Sequence, residues 1–178
     1  MGQYYTLITI DLKRESIHNY TPTSGNKLME FAYYHDYMAN LFCSKLYYNP
    51  QRVIVLGDYA EQEDFKAPIL QGLFDLEKLA TTEEEQPLAD PFDYNEEYVI
   101  NHTTNQYIKL EAPKNSSDFK PFEPLLLCAL GNGKGGGDYF GVNEKLVGSW
   151  AGCVIEVVDK PSSLEGLEEL KVSFDEVW

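Results

Sequence analysis

Two alternating runs, separated by only three polar residues, open the chain. "QYYTLITIDL", Gln3 to Leu12, places apolar and polar side chains on opposite faces, as a strand requires. Lys13-Arg14-Glu15 then turns the chain, and Ser16–Tyr20 returns. The same pattern recurs in "YVINHTTNQYIKLEA", where two alternating runs flank a turn near Thr104-Asn105. Strands joined this directly can pair only antiparallel, because a parallel pair needs a crossover of about a dozen residues or more. This constraint removes most α/β folds and favours a sheet built from hairpins.

The remaining segments fill in around that sheet. "RVIVLGDY" reads as a buried strand ending in a turn at Gly57-Asp58. Asp36 has the character of a helix cap, with Met38, Leu41, Phe42 and Leu46 following at helical spacing and Asn49-Pro50 as the stop. A second helix is predicted from near Asp64 to Ala80, with Phe65, Ile69 and Leu73 on one face. "KLMEFAYY" is ambiguous between strand and helix. "LLLCAL", Leu125–Leu130, reads as a buried strand, and another strand is centred on Val154. The weakly patterned C-terminal segment reads as a short helix and then a strand. Together these predict an α+β fold: a mostly antiparallel sheet of six to eight strands with two main helices, in a single domain over residues 1–178.

Charge is segregated along the chain, whose formal net charge is −15. Residues 1–60 carry five acidic and five basic groups, and residues 98–155 also carry five and five. The excess lies in residues 61–97, twelve against two, and 156–178, seven against two. Within the first of these, Thr81–Glu97 is polar, acidic and proline-containing, and reads as an acidic surface loop. A nucleic-acid ligand would need a basic stripe, and none is visible. Two readings remain for the acid: a solvated face, or a surface that docks on a basic protein or mimics the phosphates such a protein binds. The docking reading assigns Glu83, Glu84, Glu85, Asp90, Asp93, Glu96 and Glu97 to a partner; Trp150, flanked by small residues, reads as a core or loop anchor, and as an aromatic partner contact should it be exposed.

"ALGNGKGGGDYFG", Ala129 to Gly141, holds six glycines in thirteen residues. Gly131, Gly133 and Gly136 match G-x-G-x-x-G, and Glu156 lies about twenty residues beyond the last, as a dinucleotide fingerprint has it. The fingerprint also needs a helix starting at its third glycine. The continuation "GDYFGVNEKLVGSW" offers no apolar helical face, so a Rossmann site is rejected. A phosphate-binding Walker loop fails because Gly133-Lys134 is followed by Gly135. Such a loop can still form an anion nest from Gly131, Gly133, Lys134, Gly135 and Asp138, with Asp58 and Asp138 holding a divalent cation. It can equally let another segment pack against bare backbone, with Asp138 capping the turn through its own backbone. The structural version predicts positive φ at Gly135, Gly136 or both, with no helix following, and a Lys134 ammonium lying in water at the loop tip.

Other chemistry is thin. Cys43, Cys128 and Cys153 sit in apolar segments without zinc spacing, and read as buried thiols. His18, His35 and His102 form no dyad by spacing, although Cys43 could meet His35 or His102 in space. No cofactor or metal is implied. Met1-Gly2-Gln3-Tyr4-Tyr5-Thr6 fits the myristoylation pattern, but the same residues open a strand. No apolar run reaches bilayer length, and Met1–Asp11 has no signal-peptide character.

Several blocks occur together: "MGQYY", "NKLMEF", "NPQRVIVLGDYA", "YVINHTTNQYI" and "LGNGKGGGDYFG…VGSWAG". In these the chain resembles a family of uncharacterised bacterial and mobile-element proteins. They open Met-Gly-Gln-Tyr-Tyr and share a Gly-Asn-Gly-x-Gly-Gly-Gly-Asp-Tyr block with a downstream Ser-Trp-Ala. The resemblance spans most of the chain and implies no activity, fold or catalytic residue. The family's association with phage and plasmid genes implies a defence or counter-defence setting.

The functional expectation is a non-enzymatic, cytoplasmic binding protein. Its acidic surfaces would engage, and could inhibit, a basic partner such as a nucleic-acid-handling or defence effector. The alternative is a binder or hydrolase of a nucleotide or phosphorylated small molecule at Gly131–Asp138.

Overall fold

The computed structural model describes residues 1–22, 25–74, 81–82, 92–115 and 117–175. The described strands are β1 Tyr5–Asp11, β2 Ser16–Tyr20, β3 Gln51–Gly57, β4 Thr81–Thr82, β5 Tyr98–Asn101, β6 Gln106–Lys109, β7 Ala129–Leu130, β8 Val154–Val158 and β9 Glu168–Glu169. Among the described residues three α-helices accompany them: α1 Leu28–Phe31, α2 Tyr37–Leu46 and α3 Glu123–Leu127. Eight strands form one row in the order β4-β2-β1-β3-β8-β5-β6-β9, with β7 pairing β3 off that row. The five pairings among the longer strands, β1 with β2 and β3, β8 with β3 and β5, and β5 with β6, are all antiparallel. Only the two-residue strands β4, β7 and β9 pair in parallel. The expected α+β architecture with a mostly antiparallel sheet is therefore present, and both predicted hairpins form where the sequence placed them.

Sheet faces follow from the two-residue alternation. Tyr5 and Leu7 of β1, with Val53 and Val55 of β3, point into the larger core beneath α2 and α3. Ile8, Ile54 and Leu56 point the other way, into a smaller cluster with Phe65, Leu70 and Leu130. β3 is thus covered on both faces, which accounts for its unbroken apolar run. The smaller cluster is held by Arg52. Its guanidinium donates to the Gly152 carbonyl at 3.0 Å and to the Ile69 carbonyl.

Local signals explain α2 well. The Asp36 carboxylate accepts the Met38 N–H at 3.0 Å. Met38, Leu41, Phe42 and Leu46 are all buried. The helix ends at Tyr47, and Tyr48 turns into the left-handed region with φ 48° ahead of Asn49-Pro50.

Two expectations need correction, and one open reading is resolved. The run Leu125–Leu130 is a five-residue helix followed by the short strand β7, with Pro124 in the helix's first turn. Every residue of the run is buried, so no face was left polar to reveal the period. The helix expected from Asp64 to Ala80 begins instead as two 3₁₀ turns, Gln62–Phe65 and Pro68–Leu70; residues 75–80 lie outside the described residues. Pro68 explains the break, since its ring fixes φ and it has no N–H to continue a ladder. "KLMEFAYY" resolves as the short helix α1.

Trp150 takes the core-anchor role and not the partner-contact one. It is 1 % exposed, part of the main core, and its N–H donates to the Leu127 carbonyl at 2.7 Å. It anchors the loop between α3 and β8 and presents no stacking surface. Trp150→Ala is expected to cost about 3–5 kcal/mol. Urea unfolding followed by far-UV circular dichroism measures this; a loss below about 1 kcal/mol would mean the indole is not a core anchor.

Candidate functional site

The glycine loop folds around one carboxylate. Oδ2 of Asp138 accepts the backbone N–H groups of Gly133 at 2.7 Å, Lys134 at 2.8 Å and Gly135 at 3.0 Å. Oδ1 accepts the Tyr5 hydroxyl at 2.9 Å. Three convergent N–H groups form the anion nest foreseen in the sequence. Its occupant is the chain's own Asp138, which is only 5 % exposed. Burial and the Asp138 contact push the Tyr5 phenol far above its ordinary range, so it stays a donor.

This loop also receives the N-terminus. Gly136 N–H donates to the Met1 carbonyl and the Gln3 N–H donates to the Gly136 carbonyl, both at 3.1 Å. The Gln3 amide reaches the Gly131 carbonyl at 2.9 Å. Backbone therefore packs on backbone, which is the second use of glycine considered above. Residues bearing positive φ are Gly131, Gly133 and Gly137, not Gly135 or Gly136 as expected. Gly135 is required for a different reason. A Cβ there would lie 2.5 Å from the Gln3 Cβ and 2.8 Å from the Gln3 nitrogen.

Lys134 does not lie free in water. Its ammonium meets Asp64 at 2.6 Å and Glu61 at 3.4 Å, and the Asp64 hydrogen bond raises its pKa. It ties the loop to the first 3₁₀ turn. Asp58 accepts the Tyr4 N–H at 2.9 Å, so the two carboxylates suggested for a cation are each engaged in main-chain bonds. Among the described residues no cluster of three metal-ligating side chains occurs. Cys43 is wholly buried, and burial pushes its thiol well up, which removes the nucleophilic form a Cys–His pair needs.

Of the acidic candidates, Glu83, Glu84, Glu85 and Asp90 lie outside the described residues. Asp93, Glu96 and Glu97 enter β5, and the sheet register decides their neighbours. Tyr98 pairs with Val158, so Glu97 stands beside Asp159. The first acidic segment thereby meets the second, at a place that neither segment reveals alone. Burial raises the Glu97 pKa first, and the charges of Asp93 and Asp159 add to it.

Two tyrosines complete this face, and the sequence reading missed both. A bridge from Tyr47 to Val157 and a Tyr48 N–H bond of 2.9 Å to the Val157 carbonyl stitch the end of α2 to β8. Both hydroxyls then donate to Asp159, Tyr47 at 2.8 Å. These bonds lower the Asp159 pKa, and the Asp159 bond pushes Tyr47 up to about 12. Tyr47 and Tyr48 remain 38 % and 42 % exposed. The only hint in the sequence was an aromatic pair directly before the helix-stopping Asn49-Pro50.

Segment 92–97 lies along α2. Asn40, on that helix, accepts the Phe92 N–H at 3.3 Å and the Tyr94 hydroxyl. Ring contacts continue from His35 through Tyr94 and Phe92 to Tyr47 and Tyr48. Compared with protein-family models, with curated proteins and with solved structures, the chain gives no match.

Two substitutions in the loop separate steric need from conformational need. Gly135→Ala is expected to destabilise by about 2–3 kcal/mol, because the Gln3 backbone cannot yield cheaply. Gly136→Ala should stay within about 1 kcal/mol, since nothing lies closer than 3.6 Å to its Cβ. Thermal unfolding of both variants checks the contrast; equal losses would contradict the N-terminal packing as its cause.

Asp138→Ala tests the nest itself. It strands three N–H donors and the Tyr5 hydroxyl, and is expected to cost about 3 kcal/mol or more. The emptied nest should accept an anion, so millimolar inorganic phosphate should raise the melting temperature of Asp138→Ala and leave the wild type unchanged. Equal phosphate stabilisation of both proteins would show that the carboxylate does not fill the cradle.

Proposed function

We propose that this is a binding protein without catalytic chemistry of its own, which engages a basic protein partner through the face formed by Asp93, Glu97, Asp159, Tyr47 and Tyr48. The observation that carries this reading is the antiparallel pairing of β5 and β8, which brings Glu97 against Asp159 beside two exposed tyrosines. Tyrosine supplies contact area at low entropic cost and is enriched at the centres of interfaces. Carboxylates around it steer and select a cationic surface. A nucleic-acid backbone would be repelled by the same face.

The partner class we propose is a nuclease or other nucleic-acid-handling effector, including those of defence systems. Such proteins carry a cationic groove shaped for phosphates, and an acidic face that covers it acts as an inhibitor. A cytoplasmic setting fits this role. The glycine loop is assigned to architecture, because its donors already hold Asp138.

The test is isothermal titration against a panel of purified basic nucleic-acid-handling proteins, between about 50 and about 500 mM salt. Affinity should fall at least about tenfold across the series. Binding that does not weaken with salt, or no binding by any member, overturns the proposal.

Glu97 gives a sharper check, because stability and binding should move oppositely. A carboxyl whose folded pKa is raised holds its proton more tightly when folded. Its stabilising contribution is present below the ordinary glutamate value and is lost as pH rises through the folded value. Glu97→Gln is therefore expected to raise the melting temperature at pH 7, by about 1–3 °C, with no gain near pH 4. The same variant should weaken a basic partner severalfold. Loss of both stability and affinity would assign Glu97 a structural role instead.

A further inference from the structure

An open cleft of about 750 Å³ lies at the other end of α2, just before its cap. Its walls come from three separate parts of the chain: Tyr33 and Asp36 ahead of α2, Asp118 and Phe119 ahead of α3, and Asp175 near the C-terminal end. The floor is fixed by main-chain bonds. Tyr33 bridges Pro121, Tyr34 N–H donates to the Lys120 carbonyl at 3.0 Å, and Phe122 N–H donates to the Ala32 carbonyl at 2.8 Å.

The composition of this cleft is one-sided. Glu30, Asp36, Asp118 and Asp175 line it, and among the described residues no lysine or arginine does. Three of the four are already engaged: Glu30 pairs with Lys27 at 2.9 Å, Asp36 caps α2, and one oxygen of Asp118 accepts the Asn115 amide at 3.4 Å. Lys120 turns away, to Glu123 at 3.3 Å and to the Tyr34 ring. Asp118 and Asp175, which are exposed, supply the remaining charge.

Acid alone would not select an organic ligand; the aromatic wall does. Phe119 is 87 % exposed and meets Tyr33 edge-on, with centroids 5.7 Å apart. An apolar ring held in solvent beside carboxylates suits a cation that is itself flat and weakly hydrated. Guanidinium has that character: it stacks on rings while donating paired hydrogen bonds to a carboxylate. Ammonium is more strongly hydrated and offers no flat face.

We infer that this cleft receives an arginine side chain of the basic partner. The inference rests on the reading of the neighbouring face as a docking surface and adds an anchor to it. Helix α2 has ten residues, a span of about 15 Å, with the cleft at its start and Tyr47 and Tyr48 at its end. His35, Tyr94 and Phe92 connect the two. One partner surface of ordinary size reaches both.

The experiment uses a capped Gly-Arg-Gly peptide, titrated into the full-length protein and followed by amide chemical shifts. Matched peptides carry lysine or the neutral isostere citrulline. The arginine peptide should perturb the amides of Tyr33, Asp118 and Phe119 first. It should bind at least about tenfold more tightly than the citrulline peptide and severalfold more tightly than lysine. Phe119→Ala should weaken arginine severalfold without shifting the melting temperature, because the ring is exposed. Asp118→Asn combined with Asp175→Asn should abolish the preference over citrulline. Equal binding of arginine and citrulline, or unchanged binding by Phe119→Ala, overturns the inference.

The two readings fail differently. A basic partner that binds wild type and Phe119→Ala equally well removes the anchor and keeps the face. An arginine peptide that binds the cleft, while no basic protein binds at all, removes the face and keeps the cleft as an arginine site.

Discussion

A carboxylate removed from water is costly unless donors replace its hydration. Asp138 has four: three main-chain N–H groups of its own loop and the Tyr5 hydroxyl of β1. Those donors come from segments far apart in sequence, so satisfying one buried group ties β1 to the glycine loop. The consequences spread outward. Fixing the loop on Asp138 places Gly136 to pair with Met1 and Gln3, which in turn aligns β1 next to β3. β3 then carries β8, and β8 carries β5. The acidic face at Glu97 and Asp159 is the far end of this series. Glycine is needed in the loop mainly so that donors can converge and another backbone can come close, and only secondarily for unusual dihedral angles.

How much of this was legible depended on how local the cause was. The hairpins were legible because a short turn between alternating runs admits one pairing. The α2 cap was legible because Asp36 bonds a residue two positions away. Helix α3 was not, because a run buried on every side shows no period, and its length fits either element. The first 3₁₀ turn is set by distant partners: Phe65 packs on Ile54 and Leu56, and Lys134 pairs with Asp64. For the site, the nest was legible as chemistry, and Asp138 as a cap on its own turn. That one carboxylate oxygen takes all three donors while the other takes the Tyr5 hydroxyl is visible only in the folded loop. The meeting of the two acidic segments depends on the β5–β8 register, which no property of either segment fixes.

Tyrosine and carboxylate recur together in this molecule, in two opposite roles. In the interior, Tyr5 donates to Asp138 and Tyr34 donates to Glu123 at 2.8 Å. There burial raises the Glu123 pKa, and the hydroxyl and Lys120 counter it. These pairs join segments far apart in sequence and are closed to solvent. At the end of α2 the same chemistry is turned outward. Asp159 holds two phenols whose rings stay open. The bonds fix the rings in place before any partner arrives, which lowers the ordering cost of binding.

The strongly negative balance of the chain bears on how such a face would act. Balanced segments supply β1 to β3 and the glycine loop, where pairing and packing dominate. Acidic excess lies in residues 61–97 and 156–178, and among the described residues the two segments meet at Glu97 and Asp159. Burial raises the Glu97 pKa first, and the charges of Asp93 and Asp159 add to it. On the reading proposed above, a cationic surface would relieve that repulsion. In the glycine loop the three N–H donors that converge as an anion cradle are closed over Asp138, and the exposed charge of the proposed docking face is of the sign that repels a phosphate.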